Sequence, residues 1–465
     1  MTNLSTHVNS MNDSSMPQPN PALTRRSFLR TTSGAVAGGA VLGALPIERF
    51  AHAASPGDTL RVGLIGCGGR GTGAAAQALS TAGDVKLVAM ADAFKNQVDG
   101  ALRQITSSMK DRADRVEVKE DMKFVGLDAY KQVIASSDVV VIATPPGFRP
   151  IHFEEAVKQG KHIFMEKPVA VDAPGVRRVL EAAKVAKQKN LKVGVGLQRR
   201  HQLGYLETFK RLKDGAVGDI VAMRVYWNGG PVGPKARRAD LEKRMGRPPT
   251  EMEYQVRNWY MFNWLCGDHI VEQHIHNIDV ANWLLGSHPV RAFGMGGRAF
   301  QKGPDSGEIF DHHAVQFEYL VNERPVRVFS ECRQIPGCWN SVSEHVHGTK
   351  GACDFEGRGL VITGENPWKF RGGGKDPYQQ EHDDLFEAIR LDRPYNEAEY
   401  GAISSMTAIF GRMATYSGKE LAWDEAMNSK LDLMPTEYTW EALPKVLPEP
   451  DGLYPYAIPG KTVAL

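Results

Sequence analysis

Leu60-Arg61-Val62-Gly63-Leu64-Ile65 runs straight into Gly66-Cys67-Gly68-Gly69-Arg70-Gly71, and a helical stretch from Thr72 to Leu79 follows. The first six residues read as a short buried strand. Between strand and helix stands G-x-G-x-x-G, which has a physical reading. The first Gly permits a tight turn, the second lets the backbone approach a pyrophosphate, and the third lets helix and strand pack closely. The helix N-terminus then faces the phosphates. Gly66, Gly68, Gly69, Arg70 and Gly71 are the candidate nucleotide contacts. Val85 to Ala91 reads as a second strand, and Asp92 ends it, 26 residues after Gly66. A carboxylate there can accept both ribose hydroxyls of an adenosine and repels a 2′-phosphate, which favours NAD over NADP.

The alternation continues outward. Val139 to Ala143, His162 to Met165 and residues near Phe124 are strand-like, with helical stretches near 96–109, 128–135 and 151–159. Alternating apolar strands and helices imply an α/β fold whose parallel sheet is covered on both faces. Ligands bind at the C-terminal ends of such strands. Thr144-Pro145-Pro146 and Glu166-Lys167-Pro168 fall at two of these ends, adding Thr144, Pro145, Glu166 and Lys167 to the cofactor set.

The whole chain has 465 residues, 42% hydrophobic and 24% charged, with a net charge of +2. That is an ordinary globular balance. At about 150 residues per domain, the length suits two or three domains. The first 53 residues hold four Arg, one Asp and one Glu, so the remainder is neutral. A neutral chain gives no reason to expect nucleic acid or an anionic membrane as partner. Five Cys make no disulfide framework.

Residues 1–23 have the composition of a disordered segment. Thr24-Arg25-Arg26-Ser27-Phe28-Leu29-Arg30 then precedes a weakly apolar Gly/Ala-rich run from Thr31 to about Pro46, and Ala51-His52-Ala53 offers small residues for cleavage. This order resembles a twin-arginine (Tat) export signal over residues 1–53, with no lipobox Cys for a membrane anchor. The mature protein is expected in the periplasm or otherwise outside the cytoplasm.

Four features, in order, resemble the Gfo/Idh/MocA oxidoreductases, the glucose–fructose oxidoreductase and inositol dehydrogenase superfamily. They are Gly66-x-Gly68-x-x-Gly71, Ala143-Thr144-Pro145-Pro146 with His152, Glu166-Lys167-Pro168, and Glu272-x-x-x-His276-x-x-Asp279. The likeness spans roughly residues 58–430. It implies a Rossmann dinucleotide-binding domain (58–170) and a C-terminal α/β domain (171–430) with an open, largely antiparallel sheet. Residues 431–465 are an extension. The sheet commonly serves as an oligomer interface, so a dimer or tetramer is expected. Family members usually carry a catalytic Lys at the position of Lys167, and the resemblance suggests a cis bond before Pro168.

Residues 267–285 read as one helix that places Glu272, His276 and Asp279 on a common face. The family pattern has Asp where this chain has Glu272. His276, with an unperturbed pKa near neutrality, suits a substrate-facing acid/base. No metal is expected, because H-E-x-x-H is absent and His274 and His276 point to different faces. Arg200 and His201, placed by the resemblance at the pocket mouth, are candidate substrate contacts, with Asp279 beside them and Trp227 as a sugar-stacking face. Residues 231–250 form a Pro/Gly/Arg-rich insertion, read as a loop whose charge is solvated.

An exported enzyme cannot draw on the cytoplasmic NAD(H) pool, so a cofactor carried inside the fold must regain its starting state in each turnover. Transfer between two sugars, reoxidation by an external acceptor, and transient oxidation with bond elimination all satisfy this. The last is used by the NAD-dependent glycosidases of the superfamily. The sequence reading is therefore an exported NAD-dependent oxidoreductase of a sugar or cyclitol. The alternatives are a glycosidase or lyase working by transient oxidation, and a nucleotide-bound sugar-binding protein.

Overall fold

A computed structural model describes residues 58–356 and 359–465; the expected export signal over residues 1–53 lies outside them. The first sheet has six parallel strands: β1 (Leu60–Ile65), β2 (Val85–Asp92), β3 (Lys123–Val125), β4 (Val139–Ile142), β5 (His162–Met165) and β6 (Val193–Val195), in the order β3-β2-β1-β4-β5-β6. The connecting helices are α1 (Gly69–Leu79), α2 (Lys95–Ser108), α3 (Tyr130–Ser136), α4 (Arg149–Lys158) and α5 (Ala173–Gln188). Strands β1, β4 and β5 are almost wholly buried, as a sheet covered on both faces requires. The strand order reverses between β1 and β4, where doubly wound sheets open their crevice. The sheet takes its sixth strand from beyond residue 170, where the sequence reading ended this domain. Helix α5 starts where Asp172 accepts the Gly175 amide at 2.8 Å, with Pro174 in its first turn.

The second domain continues with α6 (Leu203–Lys213), β7 (Ile220–Gly229), α7 (Arg238–Met245), α8 (Glu251–Arg257), α9 (Asn263–Cys266), α10 (His269–Glu272) and α11 (Ile275–Leu285). Then come β8 (Pro289–Gly297), β9 (His312–Val321), β10 (Arg324–Gln334), β11 (Ser341–Gly348), β12 (Gly351–Glu356), β13 (Gly359–Gly364), β14 (Trp368–Lys369), α12 (Pro377–Arg390), α13 (Ala398–Ser417), β15 (Leu421–Ala422) and α14 (Trp423–Met427). The strands form one nine-stranded sheet, β14-β13-β12-β11-β7-β10-β9-β8-β15, antiparallel except for the β7–β10 pair. Buried and outward residues alternate along β9 and β10, the period of a sheet with one covered face. Helices α11 and α13 pack on that sheet, while Val221, Phe293, Met295, Leu320, Phe329 and Val342 are exposed on its strands.

Two local readings change and a third gains detail. The single helix expected over residues 267–285 is two, broken at Gln273-His274. The insertion is not a plain loop, since α7 forms within it, ending at Gly246 with φ +69°. The extension is packed: the Leu433 amide bonds Asp172, Trp440 lies 5.5 Å from Phe94, and Tyr454 stacks on Tyr254.

The glycine turn yields a paired prediction. A Cβ on Gly71 would lie 1.9 Å from the Gly66 carbonyl oxygen, whereas one on Gly68 meets nothing within 4 Å. Gly71→Ala is expected to destabilise the fold by about 1–3 kcal/mol. Gly68→Ala should leave thermal unfolding unchanged and weaken dinucleotide binding. Calorimetry and nucleotide titration of both variants check this.

Candidate active site

A cleft of about 830 Å³ opens at the C-terminal ends of β1, β2, β4 and β5. Gly66 makes the turn with φ +94°, its Cα packed against the backbone of Ala143 and Thr144. Gly68 and Gly69 leave the space in front of the α1 N-terminus open. Asp92 accepts hydrogen bonds from the amides of Cys67 (2.7 Å) and Phe94 (3.0 Å), and its burial pushes its carboxyl up. Thr144 Oγ1 is 3.2 Å from His152 Nδ1, and burial drives that imidazole down to about 3, so it stays neutral. All ten sequence-predicted cofactor residues line this cleft. Together they fit a dinucleotide: an open phosphate cradle at a helix N-terminus, a carboxylate at the ribose position, and polar groups at the β4 and β5 ends.

Arg70 does not point into solvent. Its Nε lies 3.0 Å from the buried Glu166 Oε1, and its guanidinium covers the Tyr378 ring at 4.7 Å. Tyr378 belongs to α12, so the glycine turn, the β5 end and the second domain meet at this arginine. Gly196 is needed beside it, because a Cβ there would come within 2.5 Å of Glu166 Oε2.

At the other end, Lys167 Nζ donates to the Glu272 carbonyl at 2.6 Å and to Glu272 Oε1 at 3.1 Å. The Lys167–Pro168 peptide is cis. The break between α10 and α11 frees the Glu272 carbonyl, so one residue offers Lys167 both its main chain and its side chain. The longer carboxylate reaches the lysine at ion-pair distance, which settles its geometric place. His276 lies in the first turn of α11, 6% exposed, with its ring stacked 5.8 Å from Trp227. Burial, with Lys167 and Arg199 adding to it, holds the imidazole well below its ordinary value. It is therefore a neutral hydrogen-bonding group in the free protein, contrary to the near-neutral pKa assumed from sequence.

Three substrate candidates stand elsewhere. Arg200 makes a bidentate pair with Asp279 (2.8 and 2.9 Å) and lies 3.8 Å from the Tyr400 ring centroid. Asp279, 1% exposed, also accepts from Ser404. His201 sits between Asp384 (2.6 Å) and Glu397 (3.2 Å), which raise it to about 10 against the opposing effect of burial. None of the three lines the cleft. They form interior ion pairs that tie the turn before α6 to α11, to α12 and to the start of α13. Trp227 does line it.

Sequence reasoning missed several lining residues. Arg149, at the start of α4, donates to the Pro168 carbonyl at 2.6 Å and is pushed down to about 10 by burial. Its place three residues after Pro146 of Thr144-Pro145-Pro146 was a usable signal. Gln273 and Trp259, and Lys235 and Arg244 of the insertion, also line the cleft. So does Arg257, whose guanidinium stacks 3.8 Å over Phe94. The insertion has no periodicity that would have revealed this.

Residues 60–197 match the Gfo/Idh/MocA family, described as an oxidoreductase family with an NAD-binding Rossmann fold. The chain is similar to an inositol 2-dehydrogenase of Rhizobium meliloti, 27% identical over 298 residues, which cover 64% of this chain and 76% of that one. Matches to further inositol 2-dehydrogenases span 32% to 43% of those proteins. Among solved structures, an aldose-aldose oxidoreductase from Caulobacter crescentus complexed with glycerol superimposes with a TM-score of 0.61 at 17% identity, covering 78% of this chain and all of that one. A scyllo-inositol dehydrogenase from Lactobacillus casei with bound NAD(H) and scyllo-inositol gives 0.56 at 19% identity, covering 79% of this chain and 100% of that one.

The Arg200–Asp279 pair generates a prediction. Removing one partner of a buried ion pair costs about 3–5 kcal/mol. Asp279→Ala should lose stability on that scale in urea unfolding, while the fraction that remains folded binds dinucleotide with unchanged affinity.

Proposed function

We propose that this chain, an NAD(P)-dependent oxidoreductase of CH–OH groups whose residues 60–197 match the Gfo/Idh/MocA family, oxidises or reduces a polyhydroxylated ring, a sugar or cyclitol, with NAD retained in the fold. The observation that carries the reading is the meeting of Lys167, Glu272 and His276 in the cleft that begins at the glycine turn. When bound, the nicotinamide ring supplies the hydride acceptor or donor. Gly66–Gly71, Asp92, Thr144, Pro145 and Glu166 would hold the dinucleotide. Lys167 orients the reacting hydroxyl and moves its proton, Glu272 fixes the lysine head, and neutral His276 hydrogen-bonds the same or the neighbouring oxygen. Trp227 and Trp259 supply apolar walls of the kind that carry a ring's C–H face.

Asp92 supports NAD. One observation favours a second reading, NADP: Arg257 makes no direct ion pair among the described residues, only longer-range attraction to Glu253 and Asp92, and Arg244 lies in the same cleft. The similarity to inositol dehydrogenases supports a cyclitol or sugar, and the exposed apolar residues of the large sheet support self-association through that face. A glycosidase or lyase working by transient oxidation uses the same lysine and remains the alternative chemistry.

Lys167→Ala is expected to lower turnover by roughly 10²–10⁴, the scale of a lost general acid/base, with dinucleotide binding intact. A panel of cyclitols, sugars and glycosides with product analysis measures it, and near-normal turnover in the variant overturns the assignment.

The export reading is tested in native cells. Changing Arg25 and Arg26 to Lys should leave the protein inside. Protein recovered from the periplasm should hold close to one nicotinamide nucleotide per chain after dialysis. Chromatography of the released nucleotide identifies it as NAD or NADP. Active periplasmic protein that arrives empty would sink the retained-cofactor mechanism.

A further inference from the structure

Beneath the cleft, at the start of α10, lies a second group of chemistry-bearing side chains. Asp268, His269 and His313 are each at most 2% exposed. One potential ligand atom from each lies within 4.8 Å of the other two. Asp268 adopts φ +77°, a conformation costly for a residue other than glycine. Its Oδ2 is occupied by the Phe310 amide at 2.9 Å and by the Tyr416 hydroxyl. Its Oδ1 accepts the His269 amide and faces both imidazoles, hydrogen-bonded to His269 Nδ1 at 2.9 Å and lying 3.3 Å from His313 Nε2.

The tautomer of His313 decides what this means. Thr415 Oγ1 donates its only proton to a helix carbonyl, Arg412 at 3.0 Å or Gly411 at 3.2 Å. With its proton on that carbonyl, it accepts from His313 Nδ1, 2.9 Å away. The Nδ1–H tautomer of neutral His313 leaves a lone pair on Nε2, and among the described residues this atom has no partner that meets hydrogen-bond geometry. An imidazole lone pair and a carboxylate oxygen thus face each other in a dry interior. Two such acceptors repel unless a cation stands between them. Separations of 2.9 and 3.3 Å are also those of neighbouring ligand atoms about a centre bonded at roughly 2.0–2.2 Å.

We propose that Asp268, His269 and His313 form a closed, structural binding site for a divalent transition-metal ion of the zinc class. The Thr415 bond to His313 Nδ1 is then the outer contact that metal-bound histidines characteristically make. Imidazole and carboxylate donors suit zinc. Cys332, opposite His313 in the β9–β10 ladder, borders the group and is the candidate for a fourth position. The ion fixes the N-terminus of α10, whose last residue, Glu272, holds Lys167. This departs from the sequence reading, which places no metal on this segment.

The test uses the full chain purified without chelators. Elemental analysis should give close to one zinc per chain, retained through dialysis. Prolonged treatment with 1,10-phenanthroline should remove it and lower Tm by about 5 °C or more, and zinc chloride should restore both. His313→Gln should hold less than about a tenth of an ion. If the unmodified protein carries no metal, and added zinc chloride neither binds nor raises Tm, the cation is a proton on His313 and the proposal is overturned. That outcome leaves the dinucleotide reading untouched, since it is read from metal content and unfolding alone.

Discussion

The pairing of Lys167 with Glu272 is the contact on which the rest of the site depends. The lysine comes from the end of β5 in the first sheet, and the glutamate from the short helix α10 of the second domain. Neither domain contains both. A lysine head in a half-closed cleft has three N–H donors to satisfy, and an unpaired ammonium there would be costly. Glu272 meets that demand with a carbonyl and a carboxylate, because the chain breaks its helix immediately afterwards. The break also turns the next segment so that His276 enters the same cleft from α11.

The second seam between the domains is built from charge and rings together. Arg70 joins the phosphate turn to Glu166 and to Tyr378, and Gly196 is bare so that Glu166 can occupy its place. Helix α12 belongs by sequence to the second domain, yet Leu385, Phe386 and Ile389 complete the core beneath β1 and α1. The two units are therefore interleaved rather than strung together. The insertion and the C-terminal extension close the end of the cleft at Asp92, where Phe94 lies between Arg257 and Trp440.

Much of this was legible in the chain. The first sheet followed from apolar strands at regular intervals and from one glycine turn in the right context, because a parallel sheet buried on both faces leaves few alternatives. Of the second sheet, the runs of β7 to β11 were readable as strands, whereas β12 to β15 were not. What was not legible depended on contacts distant in sequence. Arg200 and Asp279 looked like site residues because charge near a pocket motif invites that reading; their burial against each other is settled by the packing of α11 on α13. His276 kept its position, but the surroundings that set its protonation come from three separate segments. Arg244 and Arg257 carry no pattern that separates a cleft-lining arginine from a solvated one.

The large sheet has nine strands, yet it ends on each side in a strand of only two residues, β14 and β15. Long free edges invite the backbone of another chain to add as a further strand, the route to open-ended aggregation. Here neither edge offers enough consecutive amide and carbonyl groups to template one. The apolar surface sits on the face of the sheet instead, where recognition is by side-chain shape. Association through a self-complementary face closes on itself after a fixed number of copies. The fold thereby carries a wide, partly apolar sheet whose face, rather than its edges, is the surface open to recognition.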